Sequence, residues 1–210
     1  MHLTALVSGC AFSEIYGGIA KTVVDIGGLD VNGSLRSFFT EKGMNYICID
    51  IEKHPSVDVV IKPGDKLPFN TGTIDLVVSS SCFEHDPCFW LTFKEITRIV
   101  KLNGYIYMSA PTNGAYHCHP GDNWRFYSDA GQALAYWSGV QMANEIVYPA
   151  KVIETFHILP AGDVWMDFIC VWQRVVEKDL NICVSKEKST EVGALEQNIN
   201  NRGFVTTKKC

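Results

Sequence analysis

Five acids and three histidines stand where they could do chemistry. Asp25 and Asp30 flank a pair of glycines in Val-Val-Asp-Ile-Gly-Gly-Leu-Asp, Asp50 closes the apolar run Tyr-Ile-Cys-Ile, and Asp65 follows Gly64. His85 lies in Phe-Glu-His-Asp-Pro, and His117 and His119 precede Pro-Gly-Asp-Asn-Trp-Arg-Phe, in which the acid is Asp122. Imidazole titrates near neutrality, so it is the natural acceptor for a proton leaving a hydroxyl or an ammonium. His85, His119 and Asp122 are therefore the candidate catalytic residues, with His117 a third imidazole of the same kind. A structural reading stands beside this one, in which Trp124 and Phe126 cover a sheet edge and Asp122 pairs with Arg125. Cys82, His85, Cys88, His117, Cys118 and His119 include the ligand types zinc prefers, but their spacing fits no common zinc pattern, so no metal is expected.

The elements around these residues alternate. Leu3–Tyr16 reads as a helix, with Leu3, Leu6, Val7, Cys10 and Ile15 roughly on one stripe. Lys21–Ile26 is a short apolar strand, and Gly33–Lys42 a crossover helix stopped by Gly43. Asn45–Asp50, Ser56–Ile61 and Ile74–Ser79 are further strands. Asp86-Pro87 starts a helix, because Asp caps free amides and Pro fits the first helical position. Its apolar face is Phe89, Phe93, Ile96 and Val100, and Asn103-Gly104 closes it. Tyr105–Ala110 is a fifth strand, and Thr112–Tyr127 is irregular. Ser128–Ser138 is a helix capped by Ser128, Met142–Val147 a weak strand and Trp165–Val175 a strong final one. Strands alternating with helices give an α/β fold, a Rossmann-like doubly wound sheet that is mostly parallel. The last two strands lack a helix between them, so the final strand is expected to be antiparallel.

In such sheets ligands bind outside the carboxyl ends of the strands. Those ends carry Gly27, Gly28, Leu29 and Asp30 after the first strand and Asp50 after the second. Gly64 and Asp65 follow the third, Ser79–Ser81 and Glu84-His85 the fourth, and Pro111, Thr112 and Asn113 the fifth. An acid ending the second strand, about 20 residues past the glycine turn, accepts hydrogen bonds from both hydroxyls of an adenosine ribose. Charge separates the nucleotide ligands that share this geometry. A dinucleotide sets its pyrophosphate against the turn, yet Gly-x-Gly-x-x-Gly is missing and Asp30 would put an anion beside the phosphates. No Gly-Lys-Ser/Thr phosphate loop occurs either. S-adenosylmethionine carries a sulfonium, an ammonium and one carboxylate. Asp25, Asp30 and Asp50 suit that ligand, and backbone amides near Asn32-Gly33 are placed to hold its carboxylate.

At these residues the sequence resembles the class I S-adenosylmethionine-dependent methyltransferases. Val23–Arg36 is similar to their first motif, in the small bacterial type with an Asp-Val-Asn-Gly-Ser turn. Gly64–Phe69 resembles the family's adenine-side loop, Ile74–His85 its fourth strand and following turn, and Leu102–Pro111 its fifth strand. His119–Phe126 resembles an acceptor-side stretch of the same small enzymes. The resemblance implies that Asp25 and Gly27 shape the methionine side of the pocket, Asp50 binds the ribose, Asp65 the adenine amino group, and Ser80 lies near the cofactor. Gly28, Asp30, Asn32, Gly33, Ile51 and Gly64 complete the implied cofactor set. Leu29 and Val31 stand where the usual motif has glycines.

The bulk of the chain agrees with a soluble enzyme. It has 210 residues, 47% hydrophobic and 20% charged, with a net charge of −5 that gives no phosphate-tracking surface for nucleic acid. No apolar run reaches membrane-span length. Val7-Ser8-Gly9-Cys10 looks like a lipoprotein cleavage site, but no basic residue precedes it and the apolar segment is short. Eight scattered cysteines without a Cys-x-x-Cys pair fit a reduced compartment, so the protein is expected in the cytoplasm. Residues 1–176, including an N-terminal helix over 1–20, form one domain, and the polar residues 177–210 read as a poorly ordered or loosely docked tail. The expected activity is methyl transfer to a small-molecule acceptor, sugar-type or glycan-related, with O-methylation favoured. The alternatives are a nicotinamide-dependent oxidoreductase and a non-catalytic S-adenosylmethionine-binding protein.

Overall fold

The structure is a computed structural model, and it describes residues 2–160, 162, 164–178 and 192–208. Among these the chain runs α1 Leu3–Ile15, β1 Thr22–Ile26, α2 Arg36–Thr40, β2 Asn45–Asp50, β3 Val59–Val60, β4 Ile74–Ser80 and α3 Phe89–Ile99. It continues with β5 Val100–Pro111, α4 Ala130–Trp137, β6 Val140–Met142, β7 Glu145–Ile158, β8 Asp167–Glu177, α5 Ala194–Asn201 and β9 Thr206–Thr207. The strands form one sheet in the order β3-β2-β1-β4-β5-β8-β7-β6, with β9 paired to β7. β3 through β5 are parallel, and β8 enters antiparallel between β5 and β7.

Neighbouring residues of each strand serve opposite faces, as the pleat requires. Val24, Val77, Ile106 and Trp172 pack with Phe93 and Ile96 of α3 and Leu134 of α4. Val23, Leu76, Val78 and Tyr107 pack with Phe12 of α1, Phe39 of α2, and Leu195 and Ile199 of α5. Both faces are thus covered, which is why the central strands read as unbroken apolar runs.

Several boundaries differ from the sequence reading. α1 buries Thr4, Ala5, Ser8, Gly9, Ala11 and Phe12 rather than the expected stripe, and Leu3 is exposed. Small residues let the helix approach the sheet, and Ser8 meets the Tyr107 hydroxyl at 2.7 Å. α2 is only five residues long, and β3 only two. α3 begins two residues beyond Pro87, with Asp86 accepting from the Cys88 amide at 2.8 Å. It ends at Ile99, so Asn103 (φ +66°) and Gly104 lie inside β5 rather than closing the helix. Ser128 does not cap α4, whose first flanking residue is Asp129, and its hydroxyl faces His157 at 3.0 Å.

The larger differences lie after residue 142. The weak strand is a hairpin, β6 turning into the long β7, and β8 is not the last element. The C-terminal segment is docked rather than loose. Leu195 and Ile199 of α5 are fully buried, and Glu154 of β7 accepts from the Leu195 and Glu196 amides at 3.1 Å. That carboxylate satisfies the helix's first free N–H groups, as a cap would. Residues 179–191 of the expected tail lie outside the described residues.

Candidate active site

Where the strand order turns back between β1 and β4, a cavity of about 900 Å³ opens at the carboxyl ends. The glycine turn after β1 forms one wall. Gly27 has φ +73°, and a Cβ there would lie 2.2 Å from Cys82 Sγ; at Gly28 it would lie 2.4 Å from Asp25 Oδ2. Neither position has room for a side chain.

The amides of this turn are already bonded. Gly27 and Gly28 donate to the Ile49 carbonyl at 2.8 and 3.3 Å, Leu29 to Asp50 Oδ2 at 3.1 Å, and Val31 to the Leu29 carbonyl at 3.0 Å. Asp30 donates to Ser56 Oγ at 3.3 Å, and Gly33 donates to Asp30 Oδ1 at 3.1 Å. This corrects two expectations. Asp30 is not on the cavity wall, because its carboxylate closes the turn on Gly33. The Gly33 amide is consequently taken, which leaves Asn32 as the turn's open amide among the described residues.

The remaining predicted cofactor residues come together. Asp25, Gly27, Gly28, Asn32, Gly33, Asp50, Ile51, Gly64, Asp65 and Ser80 all line the cavity. Asp25 is 2% exposed and accepts from the Tyr46 hydroxyl, while its Oδ1 has no partner among the described residues. Burial pushes its carboxyl up to about 7, with the Tyr46 hydrogen bond opposing the rise and the Asp50 charge adding to it. Asp50 takes one backbone amide on each oxygen, Leu29 and Glu52, both at 3.1 Å. Each carboxylate oxygen keeps a lone pair for a ligand hydroxyl. Asp65 accepts from the Lys62 amide at 2.9 Å, which fixes the third-strand loop. The buried Ser80 Oγ has no hydrogen-bond partner among the described residues. Six carboxylates line the cavity (Asp25, Asp50, Glu52, Asp65, Glu84 and Asp86) against one ammonium, Lys62.

The far end is built by two loops bolted together. The Asn123 and Trp124 amides donate to the Glu84 carbonyl at 2.7 and 3.1 Å, Asn123 Nδ2 to the His85 carbonyl at 2.8 Å, and Trp124 Nε1 to the Asp86 carbonyl at 2.9 Å. Glu84, His85, His117 and His119 face the cavity there. His85 Nδ1 meets the Gly121 carbonyl, and burial lowers its pKa. His117 Nδ1 lies 3.3 Å from Asp122 Oδ2. Asp122 itself does not line the cavity. Its side chain is 2% exposed and bound by Arg125, with Oδ2 2.7 Å from Nη2 and 2.9 Å from the His117 amide. The Arg125 hydrogen bonds hold its carboxyl well below the usual range, so it stays charged and orients its neighbours instead of exchanging protons.

The sequence singled out His85 and His119 but gave no role to Glu84. That side chain is 1% exposed, and its Oε2 has no hydrogen-bond partner among the described residues. Burial pushes its carboxyl up to about 8. The Phe-Glu-His triplet placed it at a strand end, but nothing in the triplet told that the acid turns inward. Cys82 and His2 also line the cavity, and His2 arrives from the far N-terminus with no local signal.

Comparison with known proteins agrees with this architecture. Residues 6–108 match the methyltransferase domain family. Over 98 residues the chain is 33% identical to an uncharacterized methyltransferase of Mycobacterium sp. (strain KMS) and 31% identical to one of strain JLS. These matches cover 42% of the chain and only 38% of each relative's length. Among solved structures, the Burkholderia thailandensis 1,6-didemethyltoxoflavin-N1-methyltransferase with bound S-adenosylhomocysteine superimposes with a TM-score of 0.64, at 13% identity, over 81% of this chain and 78% of that one. A SAM-dependent methyltransferase from Archaeoglobus fulgidus gives 0.57 at 16% identity, over 81% and 94%. At such identities the likeness is one of fold.

Proposed function

We propose that this chain is a class I methyltransferase that binds S-adenosylmethionine and moves its methyl group to a hydroxyl of a small, sugar-type acceptor. The observation that carries the cofactor reading is the acidic lining of the cavity, six carboxyl groups against Lys62, of which burial raises Asp25 to about 7 and Glu84 to about 8, beside a turn whose amides are mostly spent. A pyrophosphate needs free amides and a helix N-terminus. Here the turn offers Asn32, and α2 is a single short helix starting at Arg36. A ligand with a sulfonium and an ammonium meets the acids without that penalty. Asp50 would take the ribose hydroxyls, Asp65 the adenine amino group, Ile51 the adenine face and Asp25 the methionine ammonium.

The transfer is an in-line displacement. The acceptor oxygen forms the new bond to the methyl carbon as the carbon–sulfur bond breaks, and the electron pair of that bond stays on sulfur. The acceptor's proton goes to an imidazole, and His119 is the candidate because it lines the cavity and is exposed. The acceptor hydroxyl would lie at the Glu84–His85–His117 end, whose loops Asp122 and Arg125 keep in place. The oxygen acceptor and its sugar character rest on the polar, imidazole-rich wall. We place the reaction in the cytoplasm, a reading supported by the six unpaired thiols of the described chain. Among the described residues no helix is long and apolar enough to cross a membrane.

Calorimetric titration of the purified chain tests the cofactor. S-adenosylhomocysteine should bind in the micromolar range and NAD should give no heat. Tight NAD binding without S-adenosylhomocysteine binding would end the methyltransferase reading.

A further inference from the structure

We propose that Glu84, His85 and His117 form a binding site for a divalent first-row transition-metal cation at the far end of the cavity. One ligand atom from each of the three lies within 4.8 Å of the others. Around a cation with bonds of about 2.1 Å, ligand atoms sit about 3.4 Å apart, so modest side-chain rotations close the set. Two imidazoles and one carboxylate suit zinc, iron or cobalt rather than magnesium or calcium, which take oxygen ligands.

Three independent features point to a cation here. The first is Glu84. It is 1% exposed, lines the cavity, and leaves Oε2 without a hydrogen-bond partner among the described residues, while Oε1 lies 3.6 Å from His85 Nε2. Arg125 is close enough to feel its charge, yet directs its hydrogen bonds to Asp122 and to the carbonyls of Trp124 and Ala115. The second is the orientation of the rings. Metal-ligating histidines turn their other nitrogen to a carbonyl or carboxylate, which fixes the tautomer. Nδ1 of His85 meets the Gly121 carbonyl, and Nδ1 of His117 lies 3.3 Å from Asp122 Oδ2 and 3.3 Å from the Ala115 carbonyl. Both Nε2 atoms are thereby left as acceptors. The third is rigidity. His117 packs edge-on between His85, at 5.0 Å, and Trp165, at 4.8 Å, so its ring is held rather than free to swing into solvent. Spacing along the chain hid this group, because two of its ligands are adjacent and the third arrives from the loop after β5.

Three protein ligands leave open positions on the cation for water or a hydroxyl oxygen, whose pKa it lowers. The ligand set stands on its own geometry. Only the assignment of the open positions to an acceptor oxygen rests on the methyl-transfer reading.

The test is a Co²⁺ titration of the full, metal-stripped chain followed by visible absorption, with S-adenosylhomocysteine binding measured on the same samples. One equivalent should bind, be displaced by Zn²⁺, and show no strong near-ultraviolet thiolate band. Glu84→Gln and His117→Ala should each weaken Co²⁺ by at least about tenfold, the scale of a lost ligand or ligand partner. Cys82→Ser and Cys88→Ser should leave it unchanged. The site is overturned if the chain takes up no Co²⁺, if both ligand variants bind it as well as the parent, or if a thiolate band appears and vanishes in the cysteine variants. Co²⁺ uptake without S-adenosylhomocysteine binding would sink the methyltransferase reading and leave the cation site standing.

Discussion

At the scale of single residues, the buried acids decide how the site responds to pH. Asp25 is raised to about 7 by burial. A carboxyl whose folded pKa lies above its unfolded one favours folding most when both states are protonated, below about pH 4, and that contribution is lost as pH rises through 7. The loss is on the order of 4 kcal/mol for a group moved this far. Urea midpoints should therefore fall between pH 5 and pH 8, and Asp25→Asn should flatten the fall. A residual slope is expected from Glu84, raised to about 8 with the same sign. Equal slopes in parent and variant would show that Asp25 is not the group responsible. A bound ammonium beside Asp25 reverses the effect, because it favours the charged form.

At the scale of elements, legibility followed burial pattern. β2 matched its sequence boundaries, Asn45–Asp50, because a strand covered on both faces is an apolar run that stops abruptly at its acid. β7 was nearly invisible. It carries Glu154 and His157 among its buried residues, and polar side chains inside a strand break the pattern that marks one. α5 was hidden for the opposite reason: only Leu195 and Ile199, four residues apart, signal a buried face in an otherwise polar helix. The site was legible where it depends on strand ends, as at Asp50 and Asp65. It was illegible where it depends on which amides are already bonded, as at Asp30 and Gly33. The Glu154 contact also predicts how α5 is held. Replacing Glu154 by Ala removes the acceptor of the Leu195 and Glu196 amides and of the Tyr16 hydroxyl, and leaves no room-filling substitute. Stability should drop by about 1–3 kcal/mol, and limited proteolysis should cut ahead of α5. An unchanged melt and digestion pattern would mean that the apolar contacts of Leu195 and Ile199 suffice alone.

At the scale of the whole molecule, the doubly wound sheet brings acids together at the carboxyl ends of its strands. The chain carries −5 overall, and six of its acids converge on one cavity. Such a field discriminates by ligand charge as well as by shape. S-adenosylmethionine, with its sulfonium, should bind more tightly than S-adenosylhomocysteine, which lacks it, and the gap should narrow as salt is raised from 20 to 500 mM. A gap that is absent, or insensitive to salt, would assign the preference to shape alone. The turn after β1 has a further consequence, of a temporal kind. Its amides are bonded within the chain, to Ile49, Asp50, Ser56 and Asp30, so it is a finished mould and not a flap that waits for its guest. Deuterium should enter the amides of Gly27 and Leu29 slowly with no ligand present, and saturation with cofactor should slow it little. Little ordering entropy is then left to lose at the encounter, and capture should run as a single fast phase without a trailing rearrangement.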